Sequence, residues 1–572
     1  MRDANSLPSD WSAPVSRGLI ELLRRSLPPD QDDPMLDRIL VDLTAALAQG
    51  ITWLPLQPEQ HLPLHQSGWL NGPRSPLVLN ESKLAFRRWH EGMETLVLRL
   101  LERVAASPDI NETDPATQPT LEQPTLEQPT PERSPWIQGL NPEQLAAVAA
   151  IRQHRLVLLS GGPGTGKTST VVRMLAQVVS DQPELRIGLA APTGKAAGRL
   201  QDAIRNGREC LPQSLQPALA ALPCATLHRW LEAGSRGFGR HQRRPLPLDL
   251  LVVDEMSMVD LNLATALLEA LPETAQLVLV GDAAQLPPIG AGAVWQHLQE
   301  EAQRQRFGSA AIELHRVYRN RGALARLSGV LRDQGIEAFW RACRHSTAAS
   351  GSSENLQWQQ GDRRAIPPAV TKALRDHLNT LQNAVAALPP GPTEPMGDNL
   401  DAAAADQALD ELDRLQVLCP RRVGAWGVDM LHRTLLPEGG VEAWPPGVPV
   451  LCAANQPELG LANGDRGLTI GAGPQRRVLF RCIDATGTAS PRLLHPARLK
   501  ALEPALALTV HKAQGSEADH VLLLWPGALR DQERPQQECA LLYTAITRAR
   551  QQLLLLTATD PAKLESSSEA AL

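Results

Sequence analysis

A chain of 572 residues is too long for one hydrophobic core, so several domains are expected. Hydrophobic residues make up 43% and charged residues 21%, which is ordinary for soluble globular protein. A formal net charge of −6 excludes a surface that is basic throughout but leaves room for a local basic groove, and 3% aromatic content makes any base-stacking platform sparse.

The opening MRDANSLPSDWSAP lacks a basic-then-apolar leader, and no apolar run approaches a membrane span; a cytoplasmic protein with no membrane contact is expected. Residues 1–106 read as a helical N-terminal domain, with apolar spacing near helical period in VSRGLIELLRRSL and METLVLRLLERVAAS. Residues 107–135 then turn rich in Pro, Thr and Glu and carry the tandem repeat QPTLE-QPTLE-QPTPE. Frequent prolines and little apolar surface predict an extended linker there.

Beyond the linker, short apolar runs alternate with helical stretches: LVLL (156–159), IGLAA (187–191), LLVV (250–253) and LVLV (277–280). Runs apolar on both faces and separated by helices predict a parallel sheet covered on two sides. A second set follows in QVLC (416–419), VLLLW (521–525) and LLLLT (553–557), with short strands joined by Gly and Asn turns between, predicting a small β-barrel-like insertion near 445–500. Residues 345–412 read as including flexible surface segments. The expected fold class is α/β: a domain at 136–308 and a second at 309–572 that bears the insertion. Cys210, Cys224, Cys343, Cys419, Cys452, Cys482 and Cys539 are scattered without CxxC spacing, which argues against a disulfide framework or a zinc site.

The stretch GGPGTGKTS (Gly161, Gly162, Pro163, Gly164, Thr165, Gly166, Lys167, Thr168, Ser169) meets the pattern G-x-x-x-x-G-K-[ST] between an apolar strand and a helix with Val171, Val172, Leu175 and Val178 on one face. Glycines there let backbone N–H groups converge on phosphates at a helix N-terminus. Lys167 is expected to reach the β/γ oxygens of ATP and Thr168 to ligate Mg²⁺. In LLVVDEMSMVD, Asp254 and Glu255 end an apolar strand, where a doubly wound sheet has its catalytic edge. Asp254 is expected to hold the metal, and Glu255 to take a proton from the attacking water. Gln285, in LVLVGDAAQLPPIGAG, can hydrogen-bond both the γ-phosphate and that water.

Taken singly, ELHRVYRN, TVHKAQGSEADHV and LLYTAITRARQQL are weak signals, since arginines such as Arg319 and Arg548 most often sit on the surface. Taken in order with LNPEQLAAV, APTGKAAGRL, ATLHRWL, DEMSM, LCPRRVGAWGVDMLH and NGDRG, they resemble the motifs of superfamily 1 helicases over about residues 136–557, and within them the RecD type, the alpha subunit of exodeoxyribonuclease V. That resemblance implies two RecA-like domains with ATP between them, and an ATP-dependent helicase moving 5′→3′ on DNA in break repair and recombination. It implies Gln144 at the adenine, and Arg319 and Arg548 at the γ-phosphate. It implies an SH3-like nature for the insertion, and it is the sole source of the directionality. DNA contacts are expected from loops carrying Thr193 and Lys195, Thr226 and His228, and Thr509, His511 and Lys512, on single strands and duplex ends. The short N-terminal region favours a subunit that docks RecB-like and RecC-like partners. A stand-alone helicase, or a nucleotide-binding structural subunit without unwinding, stays open.

Overall fold

A computed structural model of the chain describes residues 12–558, apart from 31–32, 49, 71, 73–74, 81, 106–134, 235, 319–321, 351–354, 363, 389–399, 484–488 and 528–534. The repeat-bearing linker up to 134 and Arg319 therefore lie outside the described residues.

The N-terminal module is mixed rather than wholly helical. Helices α1 (Ser12–Ser26) and α2 (Pro34–Ala48) are followed by β1 (Trp53–Pro55), α3 (Pro58–Gln66), β2 (Leu77–Asn80), β3 (Lys83–Phe86) and α4 (Arg87–Ala105). The strands form an antiparallel sheet in the order β1-β3-β2. Each is three or four residues long, too short for a period of two to stand out against its helical neighbours. Leu36, Ile39, Leu40, Leu43, Leu64, Leu77 and Leu84 make its core.

The first lobe contains α5 (Pro142–Gln153), β4 (Leu156–Gly161), α6 (Lys167–Asp181), β5 (Ile187–Ala191), α7 (Gly194–Gly207), β6 (Cys224–Thr226), β7 (Leu250–Val253), α8 (Leu261–Ala270), β8 (Gln276–Gly281) and β9 (Ala311–Leu314). Its six strands run parallel in the order β9-β4-β8-β7-β5-β6. Side chains alternate across a strand. Val157, Leu159, Val278 and Val280 thus meet α5–α7 on one face, while Leu156, Leu158, Leu277 and Leu279 meet α8 on the other. The second face also receives α4, through Met93, Leu96, Val97 and Leu100 at helical spacing. Buried Arg103 of the same helix donates to the carbonyls of Leu271, Pro272 and Ala275 just beyond α8, at 2.8–2.9 Å. The N-terminal segment is thereby built into the first lobe. Because β9 pairs with β4, this sheet extends past the expected boundary at 308.

The second lobe begins with α9 (Ala323–Ser350), which kinks at Gly335, and continues with β10 (Leu356–Gln360), α10 (Pro368–Ala386), α11 (Ala402–Leu412) and β11 (Leu415–Cys419). Much of 345–412 is thus regular structure. An antiparallel module follows, of β12 (Pro449–Cys452), β13 (Arg466–Ile470), β14 (Arg477–Ile483), β15 (Ala489–Leu494) and β16 (Leu502–Pro504), in the order β15-β14-β13-β12-β16. Leu468 and Leu479 press one side of it onto α10 and α11. The chain then completes the lobe with β17 (Leu508–Thr509), β18 (Ala518–Trp525), α12 (Pro535–Ile546) and β19 (Ala549–Thr557), in the parallel order β10-β19-β18-β11-β17. All seven cysteines are free thiols, and no helix among the described residues is long and apolar enough to cross a membrane.

Candidate functional site

The loop from β4 into α6 is shaped by glycine. Gly164 (φ +73°) and Gly166 (φ +87°) occupy the left-handed region, and Gly166 caps the helix that opens at Lys167. A Cβ on Gly161 would stand 2.6 Å from Thr165 Oγ1 and 3.0 Å from the Leu314 carbonyl, so the loop lies tightly against the end of β9. Thr165 Oγ1 donates to the Gly162 carbonyl at 2.9 Å. Lys167 Nζ donates to the carbonyls of Gly161 at 2.7 Å and Gly162 at 3.0 Å, which places its charge on one rim of the loop. Thr168 is half-buried and Ser169 exposed, its hydroxyl donating to the Gly166 carbonyl.

Asp254 and Glu255 follow β7, two strands from β4. Burial, reinforced by the Glu255 charge and opposed by Lys167, pushes Asp254 up to about 6. Its Oδ1 accepts the Glu255 amide at 2.8 Å, and Glu255 holds a left-handed backbone at φ +54°. Such a conformation is strained for a residue with a side chain and recurs at functional positions. Gln285 is buried, and its Nε2 donates to Asp282 Oδ2 at 3.3 Å.

The second lobe closes on these elements. Tyr543 Oη donates to Asp282 Oδ2 at 3.1 Å, Thr544 Oγ1 accepts the Leu286 amide at 2.9 Å, and Gln514 Nε2 donates to the Leu286 carbonyl at 3.2 Å. A Cβ on Gly162 would meet Tyr543 Oη at 3.1 Å and Arg332 Nη1 at 3.4 Å. Arg548 is buried, and its nitrogens donate to the carbonyls of Thr544 and Ser516 and to Thr547 Oγ1, all within its own lobe. Gln144 completes a capping box with Asn141, donates from Nε2 to Thr170 Oγ1 at 3.3 Å, and accepts from Tyr318 Oη at 3.4 Å. The Tyr318 amide donates to the Gly164 carbonyl at 2.8 Å, so an exposed aromatic ring stands beside the loop.

Further along the seam between the lobes runs a channel of about 880 Å³, walled by α7, the 224–233 segment, α11 and the inserted module. Thr193, Lys195, Thr226 and His228 line it; Thr509, His511 and Lys512 are not among its lining residues. Lys512 instead pairs with Glu503 at 2.8 Å, and burial pushes His511 down. The two threonines also cap helices: Thr193 Oγ1 accepts the Ala196 amide, and Thr226 Oγ1 the Arg229 amide. Lys195 Nζ lies 3.0 Å from Asp413, which also holds buried Arg466 at 3.3 Å. Arg199 spans the seam to the Gly515 carbonyl and to Glu517. Ala462 in the inserted module stands 2.9 Å from where a Gly194 Cβ would be.

The model of the AAA domain matches residues 144–291, and that of the UvrD-like helicase C-terminal domain matches residues 504–556. A RecBCD enzyme subunit RecD from Mycolicibacterium smegmatis is 35% identical over 430 residues, covering 71% of this chain and 69% of the relative. The chain belongs to the RecD family. Within the family, a RecD subunit from Haemophilus influenzae is 29% identical over 72% of this chain and 68% of its own length. An ATP-dependent RecD2 DNA helicase from Deinococcus radiodurans is 33% identical over 72% of this chain but only 48% of its own length.

In this RecD-family chain, folding brings the phosphate loop, the Asp254–Glu255 pair and Gln285 to the end of one sheet, facing Tyr543 and Arg332 of the other lobe. Sequence reading placed Asp282 with Gln285 at a strand end but gave it no role, and it did not single out Tyr318, Arg332 or Tyr543. Tyr318 and Tyr543 fall inside quoted motifs, so their positions were within reach. Arg332, one arginine on an amphipathic helix, gives no signal of its own.

Proposed function

We propose that the chain hydrolyses ATP between its two lobes to drive single-stranded DNA 5′→3′ through the seam channel, as the RecD-type subunit of a helicase–nuclease assembly with RecB-like and RecC-like partners. The supporting observation is the 282–286 segment. It leaves the sheet end beside the phosphate loop and is hydrogen-bonded to Tyr543, Thr544 and Gln514 of the second lobe, so a change at the phosphates is felt by both lobes. The inserted module, SH3-like by resemblance, forms one wall of the DNA path.

The residues suit a magnesium-bound triphosphate. Asp254 is held up first by burial and then by the Glu255 charge beside it, a surplus of negative charge that a cation relieves. Thr168 and Asp254 would hold the magnesium ion, which supplies charge neutralisation for the β/γ oxygens. Loop N–H groups from Gly161 to Ser169 cradle the phosphates, with Lys167 at the β/γ end and Gln144 and Tyr318 at the base. Glu255 accepts a proton from the attacking water as its oxygen bonds to the γ-phosphorus and the bond to the ADP oxygen breaks. Gln285 orients that water. Arg319 and Arg548 come to the γ-phosphate by resemblance, and Arg548 reaches it only by exchanging its bonds within the second lobe. Lys195, Thr193, Thr226 and His228 meet DNA phosphates without reading sequence. For Thr509, His511 and Lys512 that role rests on resemblance alone.

The test is ATP turnover with and without single-stranded oligonucleotide, together with unwinding of 5′- and 3′-tailed duplexes by the chain alone and with co-expressed partners. Turnover indifferent to DNA would leave only a nucleotide-binding structural role. Unwinding by the chain alone would make it a stand-alone helicase.

A further inference from the structure

We infer that Arg332 is a cation supplied by the second lobe to the γ-phosphate, additional to the two arginines marked by motifs. The inference rests on reading the cleft as an ATPase site. Lys167 identifies the γ end of the loop: the lysine of such a loop reaches the β/γ-phosphates, and here its ammonium sits on the carbonyls of Gly161 and Gly162. Gly162 is the same residue that Arg332 Nη1 approaches from the opposite lobe. The guanidinium is already oriented. Nε and Nη2 fork onto Asp333 at 2.7 and 3.1 Å, and the remaining nitrogen, Nη1, is the one directed at the loop, with no acceptor among the described residues.

The surroundings allow it to act. Arg332 lines a cavity of about 50 Å³ together with Gly162, Pro163, Val317, Tyr543 and Thr547. Small residues of the same helix, Ala325, Ser328 and Gly329, leave that space open, while Leu324, Leu327 and Leu331 anchor the helix in the second lobe's core. Arg548, by contrast, has its guanidinium committed to Thr544, Ser516 and Thr547. A cation brought across a cleft stabilises transition-state charge only when the cleft is shut. Arg332 therefore makes hydrolysis depend on lobe closure, and its pairing with Asp333 keeps it aimed between cycles.

The experiment compares Arg332→Ala and Arg332→Lys with wild type in DNA-stimulated turnover, and in affinity for ADP and for ADP with aluminium fluoride. The alanine variant is expected to lose about 100-fold in kcat, on the scale of removing one transition-state donor. Its ADP affinity should stay within about 2-fold while the fluoroaluminate complex weakens by a similar factor to kcat. Lysine should restore part of the loss. Wild-type kcat in Arg332→Ala would overturn the assignment, as would equal losses for ADP and its fluoroaluminate complex, which would signal general damage to the cleft. A wild-type chain that does not turn over ATP at all would sink the ATPase reading, and Arg332 with it.

Discussion

Thr544→Val probes the hinge between chemistry and motion. Thr544 is fully buried, and its hydroxyl accepts the Leu286 amide across the lobe seam at 2.9 Å. Valine keeps the branched shape but offers no acceptor, so the closed arrangement would bury an N–H group with no partner. That costs about 1–3 kcal/mol. Opening returns Leu286 to water, so the penalty falls on closure and not on the fold of either lobe. By the rule that 1.4 kcal/mol is tenfold, the closing equilibrium should drop by about 5- to 150-fold. DNA-stimulated kcat should fall with it if each turnover needs a shut cleft, whereas the melting temperature of the chain changes little. Thr544→Ser keeps the oxygen and should behave as wild type. Turnover and lobe-to-lobe fluorescence transfer both at wild-type levels in Thr544→Val would refute the view that the Leu286–Thr544 bond reports closure.

Three further outcomes are expected. Glu255→Gln should retain ATP and DNA binding while single-turnover hydrolysis falls by about 100-fold or more, measured by rapid quench; normal hydrolysis would remove Glu255 as the base. Burial holds Asp465 up at about 6, above the unfolded value near ~3.9, so its contribution favours the fold at pH below about 4 and is lost as pH rises through about 6. Asp465→Asn should thus raise the melting temperature at pH 7.5, by at most about 3 kcal/mol of stability, and leave it unchanged at pH 4; equal shifts at both pH values would count against this. Gly50 (φ +80°) accepts the amides of Gly292 and Ala293, and a Cβ there would stand 2.5 Å from the Pro288 carbonyl. Gly50→Ala should cost about 1–3 kcal/mol and slow DNA-stimulated turnover with ADP affinity kept, and an unaltered melting curve would show that the contact is dispensable.

Much of the sheet was legible because burial on both faces leaves an unmistakable mark. LVLL, IGLAA, LLVV and LVLV each became a parallel strand at or within a residue or two of the expected place. Strands lost to sequence reading are those without that mark. Cys224–Thr226 is three residues long, Ala311–Leu314 lies at the sheet edge with Glu313 in the middle, and Leu356–Gln360 carries three glutamines. The phosphate loop and acidic pair could be read because each is local, fixed by a strand and the turn after it. The lobe-to-lobe partners could not. Asp282 meets Tyr543 across 261 positions of sequence, and Leu286 meets Thr544 across 258, so only the assembled fold shows which polar group faces which. Lys195 was expected to face DNA from its motif alone; the fold adds Asp413 beside it, a carboxylate that a DNA phosphate would have to displace under the proposed function.

Under the proposed function, that pair would let a protein of net charge −6 hold a polyanion without clinging to it. The channel wall sets carboxylates beside its cations: Asp413 beside Lys195 and Arg466, and Glu517 beside Arg199 and Arg550. A phosphate entering there would exchange an existing ion pair for a new one, so the net gain per contact would be smaller than for a bare lysine, and so would the barrier to leaving. A stationary binder would be weakened by such an arrangement. The proposed translocation would need it, because every step would release the contacts the previous step made. The same carboxylates also bridge the lobes, with Arg199 of the first lobe on Glu517 of the second and Lys195 of the first on Asp413 of the second. Under the proposed function, DNA in the channel and closure of the nucleotide cleft would be coupled through these charges, in addition to the hydrogen bonds at residues 282–286.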